Sequence, residues 1–181
     1  MSASIAIART ALALRDLLIA ALRNDPGWQL VHEAPRITTL PHGKPDQGSG
    51  QRLNLALVGV SYDREARNDA PTGTMALELR FLITAHVFLQ LHSELLIGAA
   101  LQAIHDAPLL SLSNAPLSSD TPLERELKAA GSIGDGATVR LVVDAASHGD
   151  FAGLRLPALL VCVGPLMVAR GNGGSGLLIG K

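Results

Sequence analysis

Cysteine is almost missing from this 181-residue chain. Cys162 stands alone, so no disulfide can form within it, which is compatible with folding in a reducing compartment. Set in the apolar run LPALLVCVG, its thiol reads as a buried structural group, since a nucleophile would need a nearby base and some exposure. Aromatic residues are as scarce, at 3% against 48% hydrophobic residues overall. The core must therefore be built from Leu, Val, Ile and Ala. With a mean hydropathy of +0.28 it is more apolar than a monomer of this size needs, which points to buried subunit interfaces.

Clustered charge is missing too. The net charge is −1 and the pI near 6.6. No run of five like charges occurs, and no basic stripe is interleaved with aromatics. Phosphate neutralisation needs clustered Lys and Arg, so nucleic acid is not an expected partner. Arginine outnumbers lysine twelve to three, and arginine is the better residue for bidentate contacts at interfaces. A long uncharged run is also absent. The opening MSASIAIARTALALRDLLIAALR is interrupted by Arg9, Arg15, Asp16 and Arg23, so it fits neither a signal-peptide h-region nor a span of about 20 residues.

What the opening does show is helical spacing. Leu14, Leu17, Leu18, Ala21 and Leu22 follow i, i+3, i+4, i+7, i+8, while Arg9, Asp16 and Arg23 form a separate stripe expected to face solvent. Ser2 or Ser4 can cap this helix, and Asn24-Asp25-Pro26-Gly27 ends it. Residues 28–33 (WQLVHE) read as a short strand, and PHGKPDQGSGQ as a loop broken by proline and glycine. Residues 53–62 (LNLALVGVSY) read as a strand covered on both faces. The strongest strand is 75–88: Leu77, Leu79, Phe81, Ile83, Ala85 and Val87 share one parity, and Glu78, Arg80, Thr84 and His86 the other.

The next stretch, LQLHSELLIGAALQAIHDAP, switches to helical spacing. Ile97, Leu101 and Ile104 lie at i, i+4, i+7 with Leu96, Ala100 and Ala103 alongside, and Pro108 stops the helix. Gly98, Ala99, Ala100 and Ala103 form a thin face open to close packing. Thr121 and Glu124 make a capping box with Pro122 at the first helical position, and Gly131 closes that helix. Val139, Leu141 and Val143 alternate in a further strand. Residues 157–169 hold an apolar run broken by Gly164-Pro165, and 147–154 form at most a short helical turn. The order α-β-β-β-α-α-β-β predicts a single α+β domain over 1–170, with helices on a mainly antiparallel or mixed sheet.

Residues 171–181 form a glycine-rich arm. Gly171, Gly173 and Gly176 spell G-x-G-x-x-G, but a dinucleotide site needs a following helix N-terminus, and only Leu177–Lys181 follow in this sequence. The spacing is read as accidental and no cofactor is expected. His86, His92, Glu94 and His105 are the only concentration of potential metal ligands, without H-E-x-x-H or C-x-x-C spacing. His92 and His105 lie some 20 Å apart along the helix axis, too far to share one ion. His105-Asp106 is read as a helix C-terminal pair, where a histidine cation suits the dipole. No G-x-S-x-G elbow appears. No catalytic, cofactor or metal residue is assigned. Arg64, Glu65, Arg67 and Asn68 in YDREARND read either as a solvated loop or as a polar contact with another subunit.

Two segments carry a resemblance. NLALVGVSYDREARNDAP and MALELRFLITAHVFLQLHSELLIGAALQAIHDAPLLS resemble the cap, or tube-terminator, family of extracellular contractile injection systems, relatives of phage tail terminators. The family's Arg-Asn pair is matched by Arg67-Asn68, and its Leu-rich strand ending in Thr-Ala by Leu77 to Ala85. Glu94, Ile97-Gly98 and His105-Asp106-Ala107-Pro108 match the helix that follows, with isoleucine replacing leucine. The likeness spans about Leu12 to Leu112 and thins afterwards. There the family's tryptophan is absent and Phe151 is the nearest substitute.

The resemblance implies a tail-terminator-like fold and a hexameric ring of this chain. The ring would sit on the last ring of the inner tube, stop its growth and meet the end of the sheath. The implied partners are copies of itself, the inner tube protein and the sheath protein, with no catalysis and no membrane insertion. It also implies manufacture in the bacterial cytoplasm without a signal peptide, as part of a phage tail-like particle that is released or kept inside the cell. Within such an assembly, Leu177, Leu178 and Ile179 are expected to add as a strand to an edge on a neighbouring or sheath subunit. Two other readings stay open: a small α+β ligand-binding domain or enzyme using the polar face around His86 and His92, and a baseplate adaptor of a phage-like particle.

Overall fold

Strand β3 (Thr74–His86) organises the molecule, and its alternation explains why. Leu77, Leu79, Phe81, Ile83 and Ala85 all lie on one face of the sheet and are at most 6% exposed. A strand with so continuous an apolar face gains stability only when both neighbours and a covering layer bury it. It is flanked by β2 (Arg52–Tyr62) and β6 (Ala158–Ala169), both antiparallel to it. Strand β5 (Thr138–Val143) follows β6, and the three-residue strands β1 (Arg36–Thr38) and β4 (Leu109–Ser111) close the two edges. The sheet order is β1-β2-β3-β6-β5-β4, with only the β1–β2 pair parallel.

The computed structural model describes residues 3–27, 36–39, 51–63, 66, 73–87, 91–112, 122, 137–144 and 158–169. The expected strand at 28–33, the helix opened by the Thr121–Glu124 box and the turn at 147–154 lie outside these residues. Strands β1 and β4 were not foreseen, because three residues hold too little of a period to stand out beside Pro35 and Pro108.

Helices α1 (Ala3–Asn24) and α2 (His92–Asp106) cover one face of the sheet and pack on each other. The expected α+β class, with helices on a mainly antiparallel, mixed sheet, is the observed one. Ala6, Ala13, Leu14, Leu18 and Leu22 face the core from α1. Thr10 is fully buried among them and satisfies its hydroxyl by donating to the Ala6 carbonyl oxygen at 2.9 Å, one turn back. Because the helix begins at Ala3, Ser4 lies inside its first turn and is not a cap. Asp16, expected in a solvent stripe, is instead nearly buried with Arg15: both side chains are 10% exposed and their charged groups are 3.3 Å apart.

The buried face of α2 is Leu96, Ala99, Ala100, Ala103 and Ile104, one step round from the expected Ile97-Leu101-Ile104 stripe. Leu101 points outward. The small residues decide this, since alanines bring the helix axis closer to its neighbours than leucines could. Gly98, expected on the thin face, is exposed, and a side-chain carbon there would meet no atom within 4 Å. Gly98→Ala is therefore expected to stabilise the fold by about 0.5–1 kcal/mol. A thermal melt should show a rise of about 2 °C.

Two register shifts shape the sheet. Between Leu57 and Gly59 strand β2 carries one extra residue, Val58, against β3. Glu78 faces Gly164 and Pro165 together in the second shift, between Leu77 and Leu79. The Gly164-Pro165 peptide is cis. The expected break at this dipeptide does not occur, and β6 runs through it as one strand. Glycine suits the position, because a side-chain carbon would crowd the Leu77 carbonyl oxygen at 3.2 Å.

Candidate interaction surfaces

The residues expected to carry contacts, Arg64, Glu65, Arg67, Asn68, Leu177, Leu178 and Ile179, lie outside the described residues. Near the first group, the Ala66 N–H donates to Asp63 Oδ1 at 2.9 Å.

The described histidines are dispersed, one at the end of β3 and two at opposite ends of α2. His86 Nε2 lies 3.2 Å from Thr84 Oγ1 on the sheet face opposite the helices. His92 Nδ1 lies 3.2 Å from Gln51 Oε1, which ties the start of α2 to the start of β2. His105 sits at the far end of α2, 80% exposed, with Nδ1 3.2 Å from Asp106 Oδ1. Glu94 is in the first turn of α2, where a carboxylate suits the helix dipole. Its pKa lies below the ordinary value because the Ser93 hydroxyl donates to it at 2.8 Å. Among the described residues no three His, Cys, Asp or Glu side chains gather to hold a metal ion. Cys162 is half-buried rather than buried, and desolvation, with Glu78 and Asp144 adding to it, raises its thiol pKa and keeps it protonated.

Asp106 is held below the ordinary carboxylate range, first by Gln102 Nε2 donating at 2.7 Å and then by His105. A donor to the charged form favours ionisation. The contribution is therefore present above the unfolded carboxylate pKa and lost as pH falls through the lowered one. Gln102→Ala is expected to move the Asp106 midpoint upward, as read by carboxyl-carbon NMR titration.

The distinctive surface is apolar. Up to Ala56, strand β2 is buried on both faces, but beyond it the strand opens out. Leu57, Val60 and Tyr62 are 41%, 48% and 70% exposed. The Val58 bulge sets their direction. Before it Leu53, Leu55 and Leu57 share the helix-side parity; after it Val60 and Tyr62 do, opposite Leu79 and Leu77. They thus belong to the core face, beyond the reach of the helices. Strand β1 pairs only with Arg52, Leu53 and Asn54, so among the described residues the edge of β2 from Leu55 to Tyr62 has no partner strand. A two-sided burial was expected for all of 53–62. Gly59, a glycine inside a strand, was the one sign of the bulge.

Smaller apolar spots lie elsewhere. Leu91 precedes α2 in the left-handed region (φ 74°), and it and Leu95 one turn on are exposed. On the face opposite the helices, Ala56, Leu82 and Leu160 form a row across β2, β3 and β6 and are buried. The second parity of β3, expected to be polar, is therefore apolar at its centre and buried at Thr84 as well. Met167 and Val142 are exposed on the same face. No helix among the described residues is long and apolar enough to cross a membrane.

Relatives match this architecture. No curated protein is similar to the chain in sequence. A solved cryo-EM structure described as the PVC sheath/tube terminator of an extracellular contractile injection system, in its extended state, superposes with a TM-score of 0.51 at 13% identity. The match covers 91% of this chain and 58% of that one, so the chain spans less than two thirds of that terminator's length. Likeness at such identity is likeness of fold alone. Residues 10–150 match the profile of the family described as the Pvc16 N-terminal domain. That span is most of the sequence, and the chain belongs to the Pvc16 N-terminal domain family.

Proposed function

We propose that this chain is a structural component of a contractile injection particle, a terminator that joins the ends of tube and sheath and performs no catalysis. The observation that carries the reading is the family match over residues 10–150, joined to a fold shared over 91% of the chain with a sheath/tube terminator. The physical character of the surface supports it. Exposed apolar side chains on a strand edge that has no partner among the described residues suit protein contacts, and the described histidines do not converge on one site.

The partners follow from that role: copies of this chain in a hexameric ring, the inner tube protein and the sheath protein. Residues 1–170 act as one unit of the ring and 171–181 as an arm. Arg64, Glu65, Arg67 and Asn68, in the connection between β2 and β3, contribute polar contacts to a neighbouring subunit. A ring of identical chains uses head-to-tail contacts that close, and closure ends growth.

Electron microscopy of tubes and sheaths assembled with and without this chain tests the reading. With it, tube lengths should cluster and a label on the chain should mark tube ends. Unchanged lengths, with no label at the ends, would contradict it.

A further inference from the structure

We infer that helix α2 pairs with α2 of a second copy of this chain, antiparallel and across a twofold axis, with the two Gly98 residues at the crossing point. The contact goes beyond the terminator reading and rests on neither ring nor tube, because a twofold pair closes on itself whereas ring contacts run head to tail.

Gly98 is the first ground. Successive helix residues turn by about 100°, so Gly98 lies opposite the buried face of Leu96, Ala100 and Ala103, at the centre of the exposed one. Glycine inside a helix lowers its stability, and nothing within the chain requires one here, since a side-chain carbon would meet no atom within 4 Å. A bare position on an outer helix face lets a backbone from outside come close, which accounts for its presence.

The second ground is what surrounds the glycine. Leu95 and Leu101 stand three residues before and after it, about 60° to either side, and both are exposed. Turning a second helix end for end about Gly98 sets its Leu101 level with Leu95 of the first, across the seam. Four leucines then surround two glycines. Charge follows the same symmetry. Glu94, in the first turn, falls on the same side of the seam as His105 of the second copy and about 4.5 Å from it along the axis, with Asp106 on the far side. An acid at each N-terminal end thus meets an imidazole at each C-terminal end, and the two helix dipoles oppose. A parallel pair would set Glu94 beside Glu94 and align the dipoles. The face complements itself, which is the property of a contact between two copies of one chain.

Size sets the strength. One helix face laid on another falls below the roughly 1,200 Å² of a standard interface, so the pair is transient and forms where the chain is locally concentrated.

The test uses the full chain with Cys162→Ala and one new thiol. Gly98→Cys places two thiols at the crossing, where axes about 10 Å apart bring facing Cα atoms to about 5 Å, within disulfide range. Leu91→Cys, seven residues from the crossing, places its two thiols about 20 Å apart. On oxidation the first chain should form a covalent dimer at least tenfold faster than the second. Adding Leu95→Gln and Leu101→Gln to the Gly98→Cys chain should slow the cross-link at least tenfold. Circular dichroism should show the fold intact, because both leucines are exposed. Equal rates at the two positions, or a Gly98 cross-link indifferent to the leucines, would overturn the pairing. Either result leaves the terminator reading standing, since the label at tube ends is read separately.

Discussion

Replacing Phe81 by alanine is expected to destabilise the chain by about 4 kcal/mol, a large share of the stability of any single domain. Phe81 is 1% exposed and sits at the middle of β3, opposite Leu57 on one side and Val161 on the other. With three phenylalanines, one tyrosine and one tryptophan in the whole chain, the core is mainly aliphatic, and this ring is the largest fully buried side chain among the described residues. Its removal leaves a cavity that β-branched and leucine neighbours in a hydrogen-bonded sheet cannot close, because their Cα positions are fixed by two ladders. Denaturant unfolding should show a lower midpoint with an unchanged slope. Phe81→Leu, which keeps most of the volume, should cost well under half as much, about 1.5 kcal/mol.

The second large effect is electrostatic. Arg15→Leu is expected to cost about 3 kcal/mol, because it strips a guanidinium from a carboxylate that is itself taken out of water. The Arg15 Nε and Nη2 groups both donate to Asp16 Oδ1, at 3.4 and 3.3 Å, and Asp16 Oδ2 is buried. The pair itself need not stabilise the fold, since desolvating two ions offsets most of their attraction. The double variant Arg15→Leu with Asp16→Leu should therefore recover much of the loss. A double-mutant cycle by chemical denaturation reads this coupling directly. If the single and double variants lost the same amount, Arg15 would be acting through its aliphatic stem and not through its charge.

These two sites also show what could be read from the sequence. The Phe81 face was legible because β3 alternates over many residues, and a pattern that long has one structural solution. The burial of Asp16 was not legible. A helical wheel gives direction round an axis but not what lies beyond it, and Asp16 shares its direction with Arg9 and Arg23. In α2 the period was right and the phase was off by one position, because Ile97 and Leu101 carry more hydrophobicity than the alanines that pack. Strands β1 and β4 were missed for want of length. The open end of β2 was hidden by a single extra residue: Val58 moves every later side chain to the other parity, so Val60 and Tyr62 change face. The contact residues chosen from the loop and the arm came from charge density and tether composition, whereas the exposed apolar edge required the register of three strands.

The lone tyrosine has a practical corollary. Tyr62 is 70% exposed while Phe81 is 1% exposed, so the phenol and the core ring stand at opposite extremes of burial. Biosynthetic fluorination of tyrosine would give this chain one fluorine resonance, from a ring exposed at the rim of the sheet. Its chemical shift and linewidth would then follow subunit docking in solution, in real time, without a tag.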